Sequence, residues 1–557
     1  MNSFFARWTS ILKNNSLLLV ISMLPIFSIS NSALAAKRIY ASYTAFERSI
    51  SVNALENYAK KGIIEEDLAA YMQYVKPEQL KQLQRVLLSP IKLDHVAVSQ
   101  FLYTPQGEFL LRRLEEVIKT ESRQPKAGFH ALRSALILAA REPEGLTLLN
   151  VLHKYPGASL YIDLSKAMEI AAQLHQLVND TQRAIAAIER KSNTEAATIQ
   201  PPLNFQLPDL RLKGQFAIEK QTLQLFDKAR KRYLLTDIYL PKVRTPVSVI
   251  VISHGLGSDS SNYEYLATHL ASYGLAAIVP NHPGSDSKQL RSLLSGRANE
   301  IVQASEFYNR PLDIKYILDT LTERNKSDAK FRDRLNLQQV GVFGQSFGGY
   351  TALALAGAKI NAEQLKKDCQ PNTLQQTWNV SLLLQCRALE LLSDNKEFNL
   401  KDTRVKAVIA VNPLTSSIFG KSGLSQIQTP VMIVASSDDT IAPALYEQIL
   451  PFSWITNSQK YLAVLSGGTH FSIIGTARGT NAQVALPSEV VGNDPSQARR
   501  YMNSLSLPFF ETYVASKPQY ASYLNAAYAQ AISSKSFELS LIQSLNKSEL
   551  ARVVEKR

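Results

Sequence analysis

The spacing of apolar residues changes character partway along the chain. Over residues 36–190 apolar positions recur three or four apart, in runs at 52–60, 65–75, 77–88, 107–118 and 128–140, and in a long final run at 165–190. That period predicts a helical, all-α N-terminal domain, and Pro77 followed by Glu78 is a good helix start. Residues 191–205 break the pattern with polar side chains and the paired Pro201 and Pro202, which predicts an interdomain linker. After it, short continuous apolar runs take over, at 247–253, 275–279, 340–344, 405–411, 431–435 and 461–465. They alternate with helix-patterned stretches at 263–273 and 311–324, while 216–226 and 233–240 read as an antiparallel pair of strands. Fully apolar short strands alternating with helices predict a mostly parallel sheet with helices on both faces, an α/β domain over 206–557.

Two segments exceed that minimal core. Residues 358–403 have a helical pattern and form an insertion placed to cap a site. The tail at 494–557 is also helical in pattern and carries Phe509, Phe510, Tyr513, Tyr520 and Tyr523. A packed helix explains those aromatics, a lipid-facing surface being the other reading.

The first 35 residues stand apart. Arg7 and Lys13 precede an apolar run at 16–29, and Ala33 and Ala35 form a small-x-small cleavage pattern. This reads as a cleaved signal peptide and a secreted or periplasmic product. An uncleaved anchor is the alternative, although the run is short for a span and contains Pro25. There is no cysteine near the cleavage pattern, which argues against a lipid-anchored product. In an oxidising compartment the two cysteines, Cys369 and Cys386, are candidates for a local disulfide; otherwise they are buried thiols.

Composition removes several classes. With 557 residues, 45% hydrophobic and 19% charged, the chain is neither disordered nor fibrous. Its formal net charge of +14 is scattered, with no nucleic-acid-binding signature, so a basic surface near anionic envelope polymers or lipids is expected, with peripheral membrane association.

The candidate chemistry starts at Gly344-Gln345-Ser346-Phe347-Gly348, between an apolar run and a helix-patterned one. A G-x-S-x-G turn between strand and helix lifts a serine clear of the sheet, and its glycines leave room for the returning chain. A serine hydroxyl is a weak nucleophile and needs a base, and the base needs an orienting carboxylate. Of the eight histidines only His470 follows Ser346, in the small-residue loop after the 461–465 run. His95, His130, His153 and His175 are isolated and read as structural or surface residues. The 431–435 run leads into Asp438 and Asp439; the spacing to Pro443 favours Asp439 as the acid, with Asp438 as fallback. Oxyanion donors are expected from the Phe347 amide and from Leu256 in His254-Gly255-Leu256-Gly257, where His254 is structural. A plain glycine turn is the other reading of that loop. No metal or organic cofactor is expected.

Together these residues resemble the α/β-hydrolase superfamily over roughly 206–480. Pairing His254-Gly255-Leu256-Gly257 with Gly344-Gln345-Ser346-Phe347-Gly348 resembles the platelet-activating-factor acetylhydrolase and dienelactone-hydrolase-like branch. The resemblance implies Ser346 as nucleophile, His470 as base, Asp439 as acid, and the Leu256 and Phe347 amides as the oxyanion hole. Dienelactone hydrolases proper carry cysteine where Ser346 stands, so their substrate is not implied. The N-terminal region is similar to an uncharacterised helical domain preceding such hydrolases in secreted cyanobacterial proteins. The function expected is cleavage of carboxylic esters, on a small-molecule or lipid ester, by an esterase or lipase. Peptidase and thioesterase chemistry use the same triad. An envelope-binding role for the helical domain, with the hydrolase as scaffold, is the alternative from another class.

Overall fold

The computed structural model describes residues 36–44, 46–72, 76–91, 93–122, 126–199, 208–394, 399–475, 488–492 and 494–545. The expected leader, 1–35, lies outside the described residues, as do residues 200–205 of the expected linker.

In the N-terminal region the helical periodicity becomes helices at Val52–Lys61, Pro77–Leu88, Pro105–Val117 and Ala127–Ala139, among others. Their ends follow from local chemistry. The Ser51 hydroxyl accepts the Ala54 N–H, and Gly62 closes the same helix at φ 72°. The expectation of an all-α domain needs correction, because the region also holds a four-stranded sheet. Its strands are β1 (Arg38–Tyr43), β2 (Phe46–Ser51), β3 (Ile118–Thr120) and β4 (Ser159–Asp163), in the order β2-β1-β4-β3. Arg38 pairs with Ser159 across a long stretch of chain. These strands are short and of mixed polarity, so their period was hidden beside the strong helical runs.

The last helix, Leu164–Thr198, continues past residue 191, where the linker was expected to begin. Ser192 and Ala196, four apart, are buried on one face, so a polar-looking stretch is still an amphipathic helix. The chain divides into two units, Met1–Val178 with Arg291–Ile301, and Asn179–Leu290 with Val302–Arg557. The boundary therefore falls within the long helix rather than near 190. Residues 291–301, expected in the hydrolase domain, belong to the first unit. Among the described residues no helix is long and apolar enough to cross a membrane.

The second unit is built on a nine-stranded sheet. Its strands are β5 (Ile218–Asp227), β6 (Arg232–Pro241), β7 (Val247–Ser253), β8 (Ala276–Pro280), β9 (Leu335–Gln345), β10 (Val405–Val411), β11 (Val431–Ser436), β12 (Lys460–Leu465) and β13 (Leu539–Ile542). Their order is β13-β12-β11-β10-β9-β7-β8-β6-β5, parallel from β12 to β8 and antiparallel at both edges. The expected antiparallel pair is β5 with β6, running from Ile218↔Pro241 to Asp227↔Arg232. From β7 the chain steps one way to β8 and then returns to the other side for β9. In open parallel sheets ligands bind at such a reversal, outside the carboxyl ends of the strands.

The helix that precedes β9 starts at Glu306, earlier than Pro311, where the sequence placed its start, so Pro311 lies inside Glu306–Ser327. A proline there cannot donate to the carbonyl four residues back, that of Phe307. The Tyr350 hydroxyl donates to that carbonyl instead, at 2.8 Å. The tail packs as the helix Pro495–Tyr513, with Phe509 and Phe510 fully buried, as the packed-helix reading expects. A Cβ on Gly341 would come within 2.6 Å of the Phe510 ring, so this glycine makes room for it. Beyond the expected helices the tail also supplies β13, which borders β12.

Candidate active site

Ser346 stands where β9 hands over to the helix Phe347–Ala356, with φ 56° and ψ −116°. Such backbone is costly for a residue with a side chain and persists only where its surroundings hold it. Both flanking glycines are sterically required. A Cβ on Gly344 would lie 1.9 Å from the Gly348 carbonyl oxygen, and one on Gly348 would lie 2.0 Å from that of Ser253. The second glycine therefore clears the neighbouring strand β7, whereas the first clears the returning helix. The turn is also tied across the sheet by the Ser346 N–H donating to the Val411 carbonyl at 2.8 Å.

His470 follows β12 and reaches back to the turn. Its Nε2 is 2.9 Å from Ser346 Oγ and its Nδ1 is 2.6 Å from Asp439 Oδ2. A carboxylate only accepts, so Nδ1 carries the proton and Nε2 is left as the acceptor for the serine hydroxyl. Asp439 Oδ1 accepts the Ile441 and Ala442 N–H groups at 2.9 and 2.7 Å, which fixes the rotamer that presents Oδ2 to the histidine. Asp438, the fallback acid, is exposed and accepts from the Ser437 hydroxyl. The structure thus brings together Ser346, His470 and Asp439, and leaves Asp438 outside.

The loop after β7 lies against the turn. A Cβ on Gly255 would be 3.4 Å from Ser346 Cβ and 2.2 Å from Gln345 Oε1, so a side chain there would displace the Gln345 amide. Among the described residues neither the Leu256 nor the Phe347 N–H has a hydrogen-bond partner. Both amides are thus available to a ligand oxygen.

Sequence reasoning missed the residues that join these parts. Gln345 Nε2 donates to the His470 carbonyl at 2.9 Å and Gln345 Oε1 accepts the Tyr263 hydroxyl at 3.1 Å. Asn412 donates to the Ser436 hydroxyl at 3.1 Å beside the same His470 carbonyl. Their only sequence mark is position: Gln345 is the first unspecified residue of G-x-S-x-G, and Asn412 follows the 405–411 run.

Beneath the loop lies a second Ser-His-Asp arrangement. His282 is 3.1 Å from Ser253 Oγ and 3.1 Å from Asp313 Oδ2. All three residues are 0% exposed, against 7% for Ser346 and 4% for His470, so no substrate meets them. Burial, with the nearby Arg310 cation, lowers His282 to about 4, which keeps it neutral. Asp313 is held below its ordinary range although burial opposes this, because His282 and Arg232 stabilise its charge. Of the four lone histidines of the N-terminal region, His153 stands 3.1 Å from Glu56.

Cys369 and Cys386 are bonded, with Cα atoms 5.6 Å apart. They clasp the insertion, whose helices include Ala362–Asp368 and Val380–Gln385. Gln385 Oε1 accepts the Ser417 and Ile418 N–H groups at 2.9 Å each. The Ser381 N–H donates to the Ile441 carbonyl at 2.8 Å, which ties the insertion to the loop that carries Asp439. Buried Glu447 joins the same network through Asn379, Gln385 and Ser416.

Two family models match the chain. Residues 35–163 match one described as "Alpha/beta hydrolase of unknown function (DUF1400)", and residues 248–366 match one described as "alpha/beta hydrolase fold". The second covers β7, the glycine loop and the serine turn; the first lies in the N-terminal unit. A comparison with curated proteins found no match. The fold is that of an α/β-hydrolase, and both matches support a hydrolase without naming a narrower class.

Proposed function

We propose that the protein is a secreted serine hydrolase that cleaves carboxylic esters, of the esterase or lipase type. The observation that carries this reading is the seating of His470 between Ser346 and Asp439, at 2.9 and 2.6 Å. Ser346 Oγ attacks the ester carbonyl while His470 Nε2 takes its proton, and the imidazolium is stabilised by Asp439. The carbonyl electron pair moves onto oxygen, where the Leu256 and Phe347 amides receive it. Collapse expels the alcohol, which leaves with the proton from His470. Water then attacks the acyl-serine by the same steps in reverse order, releasing the acid and regenerating Ser346. Secretion is supported by the leader pattern at 1–35 and by the disulfide, which persists in oxidising compartments.

The test is a series of nitrophenyl esters of increasing acyl length, with wild type and Ser346→Ala. Wild type should turn over at least the short esters and be labelled by a fluorophosphonate. Ser346→Ala should lose both, with kcat down by roughly 10⁵–10⁶-fold, as for other triad serines. Hydrolysis that survives Ser346→Ala would defeat the proposal.

A further inference from the structure

We infer that His254 and Arg310, both buried beneath the glycine loop, are the positioning residues of the oxyanion hole: they hold the Gly255–Leu256 peptide so that the Leu256 N–H faces the substrate. The inference rests on the reading of Ser346 as nucleophile and assigns a role to groups that the triad does not use.

The neighbours of His254 fix which of its nitrogens carries the proton. The His282 main-chain N–H donates to His254 Nε2 at 3.0 Å, so Nε2 is an acceptor. Nδ1 lies 2.7 Å from the Gly255 carbonyl oxygen, which only accepts, so Nδ1 must be the donor. The opposite tautomer would set two donors against each other at Nε2; Arg310 Nη2 also lies 3.1 Å from Nδ1, and it donates to the His254 carbonyl at 2.8 Å. Burial and the Arg310 cation hold the ring well below its ordinary pKa, so it is neutral and this one tautomer is fixed.

The proton then determines a peptide orientation. In a trans peptide the carbonyl and the following N–H point in opposite directions. Pinning the Gly255 oxygen to the His254 ring therefore turns the Leu256 N–H away from the ring. The rest of the loop is held as well. The Ser258 N–H donates to the Gly255 carbonyl at 3.3 Å, and the Gly257 N–H to the Ser285 carbonyl at 2.9 Å. Of this loop's groups, the Leu256 N–H is left without a partner among the described residues.

Arg310 ties both arms of the hole to one cation. Its Nη2 donates to the His254 carbonyl at 2.8 Å and its Nε to the Ser285 hydroxyl at 3.0 Å. Its guanidinium also lies over the Phe347 ring, 4.6 Å from the centroid, and Phe347 supplies the second amide. The side chain is 0% exposed, and its Nη1 finds no hydrogen-bond partner among the described residues. Glu306 and Asp313 offset part of this buried positive charge, and the remainder favours the state in which negative charge builds at the two amides.

The experiment compares His254→Asn with His254→Leu, because an asparagine amide puts a donor near the place of Nδ1–H. Kinetics on a nitrophenyl ester are read together with inhibition by a trifluoromethyl ketone, which forms the tetrahedral adduct. Expected for His254→Leu is a kcat lower by ~100-fold, the loss of one oxyanion donor, with little change in KM and a parallel weakening of the ketone. His254→Asn should recover most of that loss. Arg310→Lys, which keeps the charge but loses the fork, should fall between wild type and His254→Leu in kcat, and thermal unfolding reports whether each variant folds. Equal losses in the asparagine and leucine variants, or a loss confined to KM, would overturn the inference. Nitrogen NMR of histidine-labelled wild type gives an independent readout, with an Nδ1–H signal assigned to His254 through His254→Asn. An Nε2–H tautomer overturns the inference whatever the kinetics. If wild type hydrolyses no ester yet shows the Nδ1–H tautomer, the esterase reading fails and the peptide orientation stands.

Discussion

Asp438 and Asp439 are chain neighbours with the same side chain, and they part company through three hydrogen bonds. Asp439 is held by two amides and faces His470, whereas Asp438 faces solvent. Asp439→Asn should therefore lower kcat by roughly 10⁴-fold, since an amide favours the wrong imidazole tautomer. Asp438→Asn should stay within a few-fold of wild type in the same ester assay. The reverse result would move the acid. Gly348→Ala should destabilise by about 1–3 kcal/mol or more, the scale of locally stored backbone strain, because its Cβ meets a main-chain oxygen at 2.0 Å rather than a movable side chain. Denaturant unfolding checks this. Ser346, His470 and Asp439 were legible in the sequence because chain order, strand ends and a single eligible histidine constrain them. Gln345, Asn412, His282 and Arg310 were not, because each earns its place by what lies opposite it in space. Arg310 stands one residue before the expected helix start at Pro311 and has no mark in the sequence; its role shows only once the Phe347 ring is seen beside it.

At the scale of elements, the disulfide-clasped insertion is the part most open to test. The bond closes a loop of sequence separation 17, for which chain entropy predicts a contribution of about 3 kcal/mol. The double replacement Cys369→Ser and Cys386→Ser should lower unfolding stability by that order, measured against wild type without reductant. Because the Ser381 N–H is bonded to the Ile441 carbonyl beside the acid loop, a loosened insertion should also lower kcat modestly, by several-fold. Unchanged stability would mean that the insertion is held by its hydrogen bonds alone. The helices of this segment were legible from their period. Their attachment was not, since Gln385 and Glu447 are separated from their partners by about thirty residues or more. Likewise β1 to β4 escaped notice because their polarity is mixed and β4 joins β1 from far along the chain, whereas the parallel strands declared themselves as unbroken apolar runs.

For the whole molecule, the buried histidines set the response to acid. Burial lowers His269 and His282 to about 4 from an unfolded value of 6.5, and His254 well below it. Above pH 6.5 both folded and unfolded states keep these rings neutral, and their contribution to stability is complete. As pH falls from 6.5 towards 4 the unfolded chain binds protons that the folded chain refuses, so stability is lost. For His269 and His282 the loss is on the order of 3 kcal/mol each. Thermal unfolding should show a midpoint that falls between pH 7 and pH 5, and falls less in a His269→Asn variant. A midpoint flat across that range would mean that these rings are protonated in the fold.

What the sequence alone determined is the local grammar: periods of apolar residues, glycines at a strained serine, and the order of nucleophile, acid and base. These are properties of neighbours along the chain, where backbone sterics and side-chain spacing act directly. Tertiary structure alone decided which of two adjacent aspartates turns inward, where the long helix ends, and which nitrogen of His254 carries a proton. Those outcomes depend on burial and on partners brought together from distant positions, where desolvation makes every unpaired polar group costly and so selects one arrangement.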